Sequence, residues 1–237
     1  MQLVPTRARS VPRRRFTPEL LASLHALANR LMSEDADHFR IHAETNDVVH
    51  VYERTDTGEP VGFQFWRTAE LELPNSRALI GGKLRVDPAF RRRALHLRSG
   101  LRFYLERQLR HPRTRFYRMS LASMFGFVSI TSALANYQLF DPRAGDAEGR
   151  AIRGAFERLA SQSHYQLDAA TGLFPVGIHV TAATLAQYSA RYFERPEARA
   201  YAAVNPDWRT NGCYLGFWFR FTPANLASLV RAIVRKR

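Results

Sequence analysis

The spacing of apolar positions along this chain changes repeatedly, and each change marks an element. Leu20, Leu24, Leu27 and Leu31 recur at the helical period. Thr17 stands before them as a cap, Pro18 suits the first turn, and Glu19 complements the dipole, so a first helix is predicted there. Asp47 to Arg54 is a short run rich in β-branched residues, Thr57-Gly58-Glu59-Pro60 is turn chemistry, and Val61 to Trp66 is a second apolar run. Together they predict a hairpin. Asn75 and Ser76 break the chain before a third strand over Ala78 to Val86, which Pro88 closes. Leu97, Leu101, Leu105 and Leu109 then line one side of a helix over Leu95–Arg110, with Arg98, Arg102, Arg107 and Arg110 on much of the rest and Pro112 ending it. A strand over Phe116 to Leu121 and a helix over Val128 to Tyr137 are expected next.

Asp141, Pro142, Gly145, Asp146 and Gly149 mark the clearest shift in composition. They predict a boundary between a module over 17–145 and a segment over 146–237. In that segment helices are expected near Ala151–Ser161, Thr181–Phe193 and Pro223–Val234, with strands near Phe174–Val180 and Tyr214–Thr222. Asn211-Gly212 reads as a tight turn into the last strand. Phe16-Thr17-Pro18 followed by Leu21-Ala22-Ser23-Leu24 recurs as Phe221-Thr222-Pro223 followed by Leu226-Ala227-Ser228-Leu229. Internal duplication gives such an echo, and so does repeated use of one strand-exit and helix-cap chemistry.

Composition narrows this pattern to a folded α/β chain. Of the 237 residues 46% are hydrophobic and 12% aromatic, too many for a disordered chain. No apolar run approaches the roughly 20 residues that span a bilayer. Cys213 stands alone, which excludes an intramolecular disulfide framework or a cysteine metal site and fits a reducing, cytoplasmic setting. The formal charge is +14, nearly all of it from arginine, since Lys83 and Lys236 are the only lysines. A coding bias toward arginine gives the same pattern. Such a charge attracts nucleic acid, an anionic membrane surface, an acidic carrier protein or a phosphorylated cofactor, and alone does not choose among them. Arg7, Arg9, Arg13, Arg14 and Arg15 fall in an acid-free start, read as a basic flexible arm over 1–16, with an organelle-targeting peptide as the other reading.

Candidate chemistry concentrates between Ala78 and Phe140. The strand Leu79 to Val86 runs through Asp87-Pro88-Ala89-Phe90 into Arg91-Arg92-Arg93-Ala94-Leu95-His96, where the arginine-rich helix starts. A strand emptying into a basic loop at a helix N-terminus is an anion site, because free N–H groups and the positive dipole end both face the ligand. This order resembles the GNAT superfamily of acyl-CoA-dependent N-acyltransferases, whose central motif is a strand, a Val-x-Pro-like exit, an Arg/Gln-x-x-Gly-x-Gly/Ala loop and a helix. Val86-Asp87-Pro88 matches the exit and Arg91 the first loop position, while Ala94 and His96 stand where the family most often has glycine. Ala135-Asn136-Tyr137-Gln138-Leu139-Phe140 is similar to the family's closing Tyr-x-x-x-Gly-Phe segment, one residue short and without its glycine.

The resemblance covers about Leu20 to Phe140. It implies a mixed, mostly antiparallel sheet flanked by helices, with the C-terminal segment completing the fold or forming the acceptor side. It also implies acyl-CoA or acetyl-CoA as co-substrate, or an acyl-carrier protein as the alternative donor, and an amine acceptor, with no metal. Leu84 and Val86 would offer backbone to the pantetheine arm, Arg91, Arg92, Arg93, Ala94, Leu95, His96 and Leu97 would cradle the phosphates, and Tyr137 would protonate the departing thiolate.

Other residues carry less. Glu70 and Glu72 alternate on a predicted strand, where a carboxylate would deprotonate the amine directly or through water, or where an edge strand would expose both. His50 is placed similarly one strand earlier. His38 and His42 have metal-compatible spacing without a third ligand, so no metal site is assigned. Asn205-Pro206, Trp208 and the run Tyr214, Phe217, Trp218, Phe219 and Phe221 read either as a substrate-facing wall or as a buried strand. The alternative function is a non-enzymatic protein that binds nucleic acid or an anionic surface through the arm and the arginine helix.

Overall fold

A computed structural model describes residues 4–31, 35–91 and 93–235. Among the described residues the fold is mixed α/β, with eight strands, mostly antiparallel, and helices on their flanks, as expected. The boundary expected near residue 145 does not divide it. One compact unit gathers Met1–Ala69, Leu79–Thr114 and Leu229–Arg237, and the other gathers Glu70–Ala78 and Arg115–Ser228.

The first unit is built on β1 (Thr6–Pro12), β2 (Val48–Arg54), β3 (Pro60–Glu70) and β4 (Ser76–Val86). β2 pairs antiparallel with β1 and with β3, and β4 lies beside β3. Alternation sorts the strand side chains onto two faces. Val49, Val51, Phe63 and Phe65 face α1 (Pro18–Leu31) and α2 (Ala36–Glu44), packing on Leu24, Leu27, Ala28, Phe39 and Ala43. Tyr52 and Val61 turn the other way, toward Leu95 at the start of α3 (Leu95–Arg110). Both faces are therefore covered, which explains why β2 is buried at every position but its last.

The start of the chain corrects the expectation of a flexible arm, because Thr6–Pro12 forms β1. Arg7 Nε and Arg9 Nε donate to the Glu53 carboxylate on β2 at 3.1 and 2.7 Å, and Glu53 is only 4% exposed. The charge that suggests a free arm is thus what fastens it.

The second unit centres on β8 (Cys213–Arg220), which pairs antiparallel with β5 (Arg115–Ala122), with the two-residue β6 (Gln138–Leu139) and with β7 (Leu173–Pro175). The last strand thus builds onto β5 and β6, so the composition break near 145 is only the loop into α5 (Ala147–Gln162), capped by Asp146. Phe156 of α5 packs on Phe140 and Phe174 at ring distances of 4.9 and 5.8 Å. Phe127 of α4 (Met124–Thr131) meets Phe217 of β8 and Tyr201 of α8 (Pro196–Val204) at 5.2 and 5.4 Å. In the aromatic run Phe217 and Phe219 are buried, while Tyr214, Trp218 and Phe221 are half-buried, so it is neither a fully buried strand nor an open wall. The single helix expected over Thr181–Phe193 is instead two short turns, α6 (Ala182–Leu185), where Thr181 Oγ1 accepts from Thr184 N at 3.1 Å, and α7 (Ala190–Phe193). α9 (Pro223–Arg235) closes the chain, beginning at Pro223 as expected.

Candidate functional site

The predicted donor residues fall together at the end of β4 and the start of α3, inside the first unit. β4 does not run straight to its end. Lys83 has φ +43°, a left-handed kink in mid-strand, and its ammonium sits 5.9 Å from the Phe39 ring centre. Burial, then repulsion from Arg85, pulls the Lys83 pKa down to about 7. Sequence reading assigned Lys83 no role; its only signal was being one of two lysines in an arginine-rich chain.

Beyond the kink, Leu84 and Val86 turn their side chains into the cluster formed by Tyr52, Val61 and Leu95. Their carbonyls are occupied: Arg85 donates to Leu84 O at 3.1 Å and Arg91 Nε to Val86 O at 3.2 Å. The chain then makes one 3-10 turn, Pro88–Phe90, capped by Asp87, whose carboxylate accepts from Ala89 N at 2.9 Å.

Ala94 is the residue before α3 and takes φ 54°, ψ 24°. The left-handed region costs a non-glycine residue roughly 1 kcal/mol. The loop therefore keeps, with an alanine, a backbone form that glycine adopts freely. The helix start carries no side-chain cap and no acid in its first turn. Its first amides lack intrahelical acceptors by construction, the first bond along the helix being Arg98 N to Ala94 O at 3.0 Å. Leu95 and Leu97 are buried and His96 half-buried, so the two leucines offer their N–H groups rather than their side chains.

The arginines differ from the expectation of a cradle of side chains. Arg91 is turned back onto Val86, while Arg93 donates to Val4 O and lies over the Phe90 ring at 4.7 Å. Arg92 lies outside the described residues. Backbone amides and the helix dipole, more than guanidinium groups, define this end.

Tyr137, Glu70 and Glu72 belong to the second unit and are not gathered at one point. The helix expected to end at Tyr137 ends at Thr131, because Asn225 captures the chain beyond it. Its side chain accepts from Ala135 N and Asn136 N at 3.0 and 2.9 Å and donates to Asn136 O at 2.9 Å. Tyr137 thus stands in a pinned loop, half-buried, edge-on to Phe127 at 5.5 Å. Burial first, then Glu197, raises its pKa, so the phenol stays protonated at neutral pH.

Glu70 closes β3 with its side chain 89% exposed, 3.9 Å from Arg77. Glu72 lies in the turn after β3 rather than on a strand, and Arg158 of α5 holds it at 2.6 Å. It lines a shallow cleft of about 530 Å³ with Arg150, Arg153, Gly154, Glu157 and Ser161. His38 and His42 stack edge to face at 5.0 Å, and among the described residues no group of three or more His, Cys, Asp or Glu is placed to hold a metal. Among them, too, no helix is long and apolar enough to cross a membrane.

No family model and no curated protein matches the chain. Among solved structures it is similar to the GNAT family N-acetyltransferase YhbS from Escherichia coli in complex with CoA, with 14% identity over 59% of this chain and 72% of that one and a TM-score of 0.39. It is also similar to a Trypanosoma brucei acetyltransferase, with 14% identity over 54% and 90% and a TM-score of 0.37. ElaA of Escherichia coli gives 13% identity over 58% and 93%, with a TM-score of 0.41.

Proposed function

We propose that this protein is an N-acyltransferase, moving an acyl group from acyl-CoA, acetyl-CoA or a related thioester to an amine acceptor. The observation that carries the reading is the junction of β4 and α3. A kinked strand empties through a capped turn and a left-handed Ala94 into a helix start free of acids and caps. Such an end suits a pyrophosphate, which backbone amides and the helix dipole would hold together.

In the transfer, a neutral amine attacks the thioester carbonyl, a C–N bond forms, the C–S bond breaks and the thiolate takes a proton. Tyr137, kept protonated by burial, is the proposed acid. A carboxylate would take the amine proton. Glu70 is the more open of the two candidates, because Glu72 is engaged by Arg158. Positioning and a polarised carbonyl would supply most of the acceleration.

The test is amine-dependent thiol release. The protein is incubated with CoA thioesters of graded chain length, and in parallel with an acyl-carrier protein thioester, against a panel of amines and amino-terminal peptides. Release that requires both the protein and an amine is expected with at least one donor. Absence of turnover with every donor and amine would sink the proposal.

A further inference from the structure

A buried hydrogen-bond junction ties α3 to the strands one turn behind its open end. Ser99 Oγ accepts from Trp66 Nε1 of β3 at 2.8 Å and lies 2.7 Å from His50 Nδ1 of β2. Ser99, Trp66 and His50 are 1%, 1% and 0% exposed. A hydroxyl has one proton and two lone pairs, so one side chain joins both strands to the helix. Gly100 brings the helix close: a Cβ there would stand 3.1 Å from Trp66 Cη2. One turn on, Phe103 stacks on the same indole at 5.2 Å and 30°. Ser99 is four residues beyond Leu95, so its fixed point lies about 6 Å along the axis from the first helical amide, at 1.5 Å per residue.

We infer that Ser99 is a positioning residue for the donor site: its bonds to His50 and Trp66 fix where the first amides of α3 point. The inference rests on the acyl-CoA reading above. Ser99 touches no ligand in this account and acts through the helix. Removing the hydroxyl leaves the indole N–H buried without its acceptor, and the helix gains freedom to roll or slide on the sheet. Apolar contacts alone specify that register poorly, because they are non-directional.

The experiment compares Ser99→Ala, the conservative Ser99→Thr, and Leu27→Ala as a control for stability loss. Leu27 is 2% exposed and belongs to α1, which packs on the opposite face of the same sheet. Two quantities are read in each full-length protein: the backbone amide resonances of Leu95, His96 and Leu97 without ligand, and the affinity for CoA. Ser99→Ala should move those amides and weaken CoA binding about tenfold, since sub-ångström misplacement of contact groups is felt strongly. Ser99→Thr should recover most of the affinity, and Leu27→Ala should lose stability with the amides and CoA affinity little changed. Unmoved amides in Ser99→Ala, or an equal loss of CoA affinity in Leu27→Ala, would overturn the positioning claim. If the wild type ignores CoA while the amides still move in Ser99→Ala, the donor reading falls and with it the donor role of Ser99.

Discussion

Acid should loosen the first unit through His50. Its ring is fully buried, with Nδ1 against Ser99 and Nε2 without a hydrogen-bond partner among the described residues. Burial, and after it the Arg102 guanidinium, holds its pKa down at about 4, against an opposing pull from Glu106. An unfolded histidine titrates near 6.5. The unfolded chain therefore takes up the proton first as the pH falls, and stability drains between about pH 6.5 and 4 before levelling off. Above that window neither state binds the proton, and the group contributes nothing to the pH dependence. With those two pKa values the loss between pH 7 and 4.5 comes to about 2 kcal/mol. His50→Gln cannot titrate yet keeps a polar group toward Ser99, so it isolates the contribution of the ring. Urea unfolding followed by tryptophan fluorescence at several pH values should show the wild type losing about 2 kcal/mol more than His50→Gln across that range. Parallel stability curves for the two proteins would refute the reasoning.

The remaining predictions concern the loop and the acid. Tyr137→Phe should lower turnover by about 100-fold or more while leaving CoA affinity nearly intact, as expected for a general acid; a fully active variant removes Tyr137 from the chemistry. Ala94→Gly relieves roughly 1 kcal/mol of left-handed strain but gives up a buried methyl and adds unfolded-state entropy, so it should lower stability by only about 0.5 kcal/mol. A loss of about 1.5 kcal/mol or more in thermal or urea unfolding would show that the conformation at Ala94 is not strained.

Elements with a broad apolar face or a sharp boundary were legible in the chain. α3 occupies the predicted span, and α1, β2, β4, β5, β8 and α9 fall within a few residues of theirs. β1 was hidden because its alternation is carried by Arg7 and Arg9, and the residue that neutralises them, Glu53, is more than forty positions away. α2 was missed because only Phe39, His42 and Ala43 of its polar sequence turn inward, too narrow a stripe for a periodicity signal. α4 was displaced toward Tyr137 because its residues are apolar on nearly every side, which leaves no phase to read, and because Asn225 ends it from far along the chain. In the candidate site, the strand, exit and helix start were readable from their order. The retraction of Arg91 and Arg93 onto Val86, Val4 and Phe90 was not, since charge alone does not say which partner a guanidinium takes. The Ser99 junction had only a faint trace, a Ser-Gly pair on the otherwise apolar inner face of a helix.

Titration with CoA and with a duplex oligonucleotide, each at two salt concentrations, tests the central claim most directly. A compact pyrophosphate held largely by backbone amides should bind stoichiometrically and keep most of its affinity as salt rises. Binding of a duplex through scattered arginines would fall steeply with salt. The account predicts saturable one-to-one binding of CoA or an acyl thioester, little changed in Arg91→Ala or Arg93→Ala because those side chains are already engaged within the chain. It is contradicted if the protein ignores CoA and its thioesters yet binds the duplex tightly at low salt and releases it at high salt.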